Sequence, residues 1–269
     1  MTNQNSSRSS DLFRQILILL ATPLIWVFSS LGLFLDSARS PSEFSDLSEN
    51  LLVPQTFAFS IWLPIFLGVM AFGVIQAFPS NRARDVYRKS GVWVAAGLWG
   101  VAAWGLITAF VPDAAVELLA SLIFIPTMVC LVIGMIQLWR GRDTLSILEK
   151  WLALAPVSLI AGWCSIAVFV GLNGLLWKYV GPLEWNIVAS ALSILGLALW
   201  WAIYILRHGA MNKIYAFPII WGLGFLALRH LRAGGEIYIG AIALLGVLAV
   251  VMAALIPGKT SRKPDNSIS

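Results

Sequence analysis

Eight apolar runs, each near the roughly 20 residues that carry a helix across a bilayer, constrain this chain more than any other feature. They fall at roughly 15–35, 55–78, 91–111, 115–139, 151–175, 186–206, 214–229 and 237–256. The seventh is short. Prolines interrupt several of them (Pro23, Pro64, Pro126, Pro156 and Pro218), which membrane helices tolerate because neighbours re-satisfy the freed backbone groups. Composition agrees: 59% of the 269 residues are hydrophobic and 12% charged, against about 45–50% and about 25% in soluble domains. The expected fold class is an all-α integral membrane protein of about eight transmembrane helices.

The basic residues orient it. With the N-terminus on the cytoplasmic side, fourteen of the eighteen Lys and Arg fall in inside segments; only Arg39, Lys178, Arg229 and Arg232 fall outside. The positive-inside bias then expects both termini in the cytoplasm of an inner (plasma) membrane protein. The same distribution answers the net charge of +5: basic residues scattered between apolar runs suit topology, not nucleic acid. The polar start "MTNQNSSRSSDLFRQ" leads into the first run with no small-residue cleavage site, so a retained helix is expected. Cys130 and Cys164 lie inside apolar runs, away from any CxxC or His, and read as small buried side chains.

Recognisable chemistry is absent. No Asp, Glu, Lys or His stands near the centre of a span; Glu117 begins the fourth and Arg229 ends the seventh. That argues against a carboxylate proton relay or a charged channel ring. His208 and His230 belong to loops on opposite faces and cannot share a metal. No GxSxG, HExxH, Walker or GxGxxG pattern occurs.

Aromatic and small residues remain. Thirteen tryptophans exceed what interfacial belts explain: Trp139, Trp151, Trp177 and Trp185 flank loops, whereas Trp62, Trp99, Trp104, Trp163, Trp200 and Trp221 lie deeper. In "VPQTFAFSIWLPIF" (53–66), Phe59, Trp62 and Phe66 share one helical stripe. In the fifth span Trp163, Ala167 and Gly171 follow at steps of four, either as a close-packing seam or as the floor of a cavity. Arg229 is expected to snorkel to the outer headgroups, or to meet a ligand carboxylate or the acidic first loop, 36–54.

Pro54, Trp62 and Phe66 have the spacing of the second-helix motif of the TspO/MBR family, with Phe for the usual Tyr. The chain resembles these tryptophan-rich sensory proteins, relatives of the mitochondrial translocator protein. Pro156, Trp163 and Ala167 match the fifth-helix pattern in order, but Gly171 stands where that pattern has Asn, the nearest being Asn173. In the third helix Val101 replaces the Asn before Trp104. "FSIW", "IQAFPS" and the Trp221–Arg229 pairing resemble the longer bacterial branch.

The resemblance implies a TspO-like five-helix bundle over 15–175 and three additional helices over 176–256, between cytoplasmic tails 1–14 and 257–269. It also implies a pocket for flat apolar ligands, such as porphyrins, haem-like tetrapyrroles or sterols, and a role in tetrapyrrole handling or sensing. Candidate lining residues are Trp26, Phe59, Trp62, Phe66, Trp104, Trp163 and Ala167, with Arg229 or the first loop as the polar end. Expected partners are a hydrophobic small molecule, the bilayer and a second copy as a homodimer; no nucleic acid is expected. A transporter of such a molecule, an enzyme modifying it and a helix-packing partner protein stand as alternatives.

Overall fold

The computed structural model describes residues 2–46, 50–180, 187–210, 212–232 and 234–256, and shows no strand among them. Its helices are α1 (Thr2–Ser29), the short α2 (Pro41–Asp46), α3 (Trp62–Ala77), α4 (Asp85–Phe110), α5 (Asp113–Arg140), the single turn α6 (Ile147–Glu149), α7 (Ala155–Leu175), α8 (Ile187–Tyr204), α9 (Lys213–Arg232) and α10 (Ile237–Leu255). With their short flanking turns they give eight helical rods long and apolar enough to cross a membrane. The all-α membrane fold is as expected. The tail 257–269 and Trp185 lie outside the described residues.

The rod Ile147–Val180 is built from α6, a π-helical stretch Lys150–Leu154, α7 and a second π stretch Leu176–Val180. Pro156 in the first turn of α7 explains the first widening. Its ring crowds the carbonyl four residues back, which belongs to Leu152 inside the wider π turn. Ser146 starts the rod with a reciprocal cap: its Oγ accepts the Glu149 N–H at 3.2 Å, and the Glu149 carboxylate accepts the Ser146 N–H at 2.9 Å.

The polar N-terminal segment is not a loose leader to the first span: α1 begins at Thr2. Asp11, Arg14 and Gln15, inside that polar stretch, are buried against other helices. The same helix stops at Ser29, short of residue 35, and a 3-10 turn Leu31–Leu33 follows. There the chain folds back so tightly that a Cβ on Gly32 would stand 2.6 Å from the Ser40 nitrogen. The seventh rod runs longer than its apolar stretch, to Arg232, because Arg229, His230 and Arg232 complete its last turn, where cations suit the helix dipole.

Helices α1, α3, α4, α5 and α7 pack as one group. Helices α7, α8, α9 and α10 close a second ring, so α7 is a wall of both. The α4–α5 pair is drawn close by small residues: a Cβ on Gly97 would meet Leu131, and one on Gly134 would meet Val94, each at 2.5 Å. Trp200, counted among the deep tryptophans, faces outward at 62% exposure and stacks on Tyr204.

The face where α1 begins is stitched by polar side chains. Arg88 grips the Asp11 carboxylate through Nε and Nη2. Arg84 pairs with Glu149, which also accepts the Tyr87 hydroxyl at 2.9 Å. Gln15 and Gln76 each donate to the other's backbone carbonyl, at 2.6 and 3.0 Å.

Candidate functional site

Toward the opposite face the helices line a cavity of about 120 Å³ that touches both groups. The 3-10 turn Thr56–Ile61 runs straight into α3, which aligns Phe59, Trp62 and Phe66 on the inner side. Trp62 is the centre of the aromatic assembly. It stacks on Phe66 (centroids 5.2 Å, planes 20° apart) and on Trp104 of α4 (6.2 Å, 25°). The Trp163 ring of α7 meets both Trp62 and Phe59 edge-on, at 6.2 and 6.1 Å. Offset stacks and edge contacts suit the charge distribution of aromatic rings. Phe44 of α2 closes the top, edge-on to Trp104 at 6.0 Å.

Five of the eight sequence-derived candidates line this cavity: Phe59, Trp62, Trp104, Trp163 and Ala167. Gly171 lines it as well, so the Trp163–Ala167–Gly171 series forms a cavity wall; a Cβ on Gly171 would press on Ser121 Oγ at 2.9 Å. Trp26 and Phe66 form a layer behind the lining, with Trp26 stacked on Phe66 at 6.2 Å. Arg229 stands apart from the cavity and binds the loop above it. Its Nη1 donates to the carbonyls of Val53 (2.6 Å) and Asn50 (3.3 Å).

His230 strengthens that clamp. It is buried, not a solvated loop residue as its sequence context implies. Its Nε2 donates to the Leu51 carbonyl at 2.8 Å, and its Nδ1 accepts the Glu236 N–H at 3.0 Å. These partners assign the neutral Nε2–H tautomer. Trp221 Nε1 adds a bond to the Ala58 carbonyl at 2.9 Å. Thus α9 holds the chain that runs from the first loop into α3.

Polar groups gather on the loop side of the cavity. Asn50 lines it, donating to the Val170 carbonyl and accepting from Asn173 Nδ2, both at 2.7 Å. Glu117 lines it and pairs with Lys178 at 3.2 Å. Among the described residues, two buried groups nearby have no partner, the Trp62 indole N–H and the Asn173 side-chain oxygen. Sequence reasoning named none of Phe44, Asn50 and Glu117 as lining: the first loop that holds Phe44 and Asn50 was offered only as a whole, as a polar end, and Glu117 only as the start of the fourth span.

A family model for TSPO-like proteins matches residues 14–254. The chain belongs to the TSPO-like protein family. The match runs through all eight membrane rods of this TSPO-like chain, from α1 into α10. No curated protein and no solved structure matches it. A tetrapyrrole can be tested against this TSPO-like site. Stacked indoles suit its faces, but among the described residues the lining has no His, Cys, Met or Tyr, so a haem iron would find no axial ligand. The closed cavity is also smaller than the roughly 300–1,000 Å³ of sites for drug-sized ligands. A whole macrocycle needs more room than this volume gives.

Proposed function

We propose that this chain is a membrane binding protein for a flat, metal-free, hydrophobic molecule, with a sensory or regulatory role, and that both termini face the cytoplasm of an inner membrane. The observation that carries the ligand reading is Trp62. It lines a cavity walled by rings, and among the described residues its buried N–H has no partner. A buried donor left unmade costs about 1–3 kcal/mol, and an acceptor on the rim of a stacked ligand removes that cost. Asn50, Glu117 and Ser121 supply a few polar groups within a mostly apolar lining, as ligand sites generally do. The apposition of Trp62, Trp104 and Trp163 suits a molecule with two apolar faces better than a globular one.

The test is titration of the purified protein with protoporphyrin IX, followed by tryptophan fluorescence. Quenching is expected to saturate, and Trp62→Ala and Trp163→Ala should each weaken the midpoint about tenfold or more. If both variants quench like the parent, the cavity is not the site.

A further inference from the structure

The cavity does not end at the aromatic cage. Its lining runs from Phe44 of α2 and Trp104 of α4 across α7 to Ala202 of α8 and Leu226 of α9, so it is extended across both helix groups. Past Trp163 it continues into the second helix ring, between Ile166 and Phe169 of α7, Leu195 and Ala202 of α8, and Leu223 and Leu226 of α9. There α8 leans on α7 and α10, and α9 also packs on both, so α8 and α9 face each other across the space. Only 17% of the α8 span is buried, the least of the eight.

The two arms differ in chemistry. The cage side carries indoles, Asn50 and Glu117. The second arm is aliphatic apart from Phe169, and its one polar side chain, Ser165, is already engaged. The Ser165 hydroxyl donates to the Ala161 carbonyl at 2.8 Å and accepts from Tyr215 (3.0 Å) and Trp201 (3.3 Å). A ligand segment entering this arm meets nothing to hydrogen-bond. The junction is at Gly222. A Cβ there would stand 2.9 Å from Ile166 Cδ1 and 3.6 Å from the Trp163 ring edge. From Leu195 to Ala202 the arm follows α8 for seven residues, about 10 Å at 1.5 Å per residue.

Building on the ring-binding reading above, we infer that the ligand has two parts: a flat ring for the Trp62–Trp104–Trp163 cage, and a flexible aliphatic tail that threads past Gly222 into the arm between α7, α8 and α9. A void this small, without polar partners, admits a chain but not a disc. Because the surrounding solvent is hydrocarbon, the tail gains from contacts with walls that otherwise face empty space, not from leaving water.

Menadione and menaquinone-4 share one flat bicyclic head and differ in the isoprenoid tail, so they separate the two parts. Affinities are read by tryptophan quenching at fixed detergent concentration. Comparing the tailed-to-tailless ratio between proteins cancels partitioning into the micelle. The parent should bind menaquinone-4 about tenfold tighter than menadione. Ala198→Phe, which fills the arm from the sparsely packed α8, should bring the ratio close to one and change menadione affinity less than twofold. Ala198→Leu, a smaller plug for the case where Phe does not fold, should lower the ratio partway. A ratio unmoved by either plug, or equal affinity for both probes in the parent, overturns the tail assignment; sensitivity of menadione binding to Trp62→Ala would still support the cage. If neither probe binds, the cage reading falls and the tail assignment falls with it.

Discussion

The two ends of the helix assembly both use ion pairs and side-chain bonds to carbonyls, but they put different weight on them. Where α1 begins, charged side chains from different helices meet directly: Arg88 with Asp11, Arg84 with Glu149 and Tyr87. At the loop-covered end, Arg229 and His230 bind backbone carbonyls of residues 50–53, and a void remains beneath them. Side-chain pairs specify which helices meet. Carbonyl clamps hold a segment without depending on its side chains and leave the space below open. Under the binding function proposed above, the contrast leaves structural order to one end and ligand exchange to the other. Unpartnered atoms do not by themselves separate the ends, since Arg14 and Gln76 at the stitched end also carry some. What differs is that Trp62 combines an unpartnered N–H with a place in the cavity wall.

That contrast can be broken from the stitched end first. Glu149→Leu takes the carboxylate acceptor from Arg84 and the Tyr87 hydroxyl and removes the carboxylate half of the reciprocal cap, while Ser146 Oγ still accepts the residue-149 N–H. Breaking a buried pair costs about 3–5 kcal/mol, and partial exposure of Arg84 reduces this to about 2–3 kcal/mol. Thermal unfolding in detergent should shift down accordingly, with protoporphyrin affinity of the folded fraction unchanged; a large affinity loss would show that the ends are not separate. Next, Arg229→Met should cost about 2 kcal/mol from two charge-assisted bonds. It should also speed ligand association and dissociation together, read by stopped-flow quenching. Unchanged rates would mean the loop does not gate the cavity.

Trp62→Phe sharpens the comparison, because it keeps the ring and removes the orphan donor. Affinity for a carbonyl-bearing ligand such as menadione should fall about tenfold, or about 1.4 kcal/mol. The unliganded protein loses no hydrogen bond but gives up part of the indole packing against Phe66, Trp104 and Trp163, so its stability should fall by only about 1 kcal/mol. The smallest effect concerns α2. The Ser40 N–H and hydroxyl hold the Glu43 carboxylate below its ordinary range. A lowered value stabilises the folded form above the unfolded glutamate pKa near ~4.3, and that contribution is lost as pH falls through the folded value. Hydrogen exchange of the α2 amides should therefore accelerate slightly on acidification, and Glu43→Gln should remove the pH dependence.

Much of the architecture was legible because lipid imposes a length on apolar runs; eight runs became eight rods. The extension of α1 to Thr2 was not legible, since the partners of Asp11, Arg14 and Gln15 come from α3 and α4 and the segment between them. The aromatic cage was readable from the spacing of Phe59, Trp62 and Phe66 together with Trp163. Spacing cannot tell lining from backing, however, and it placed Trp26 and Phe66 in the wall when they stand behind it. Arg229 illustrates the same limit. Its position at a span end was visible, but its acceptors are backbone carbonyls of a loop more than 170 residues earlier in the chain, and no side-chain pattern announces a carbonyl.

Helix α7 belongs to both rings, and its Trp163 and Ile166 look into different rooms from adjacent turns. A tilt that widens one room must narrow or reshape the other. A ligand that moves α7 on the indole side would therefore also reshape the space between α8 and α9, because one helix walls both.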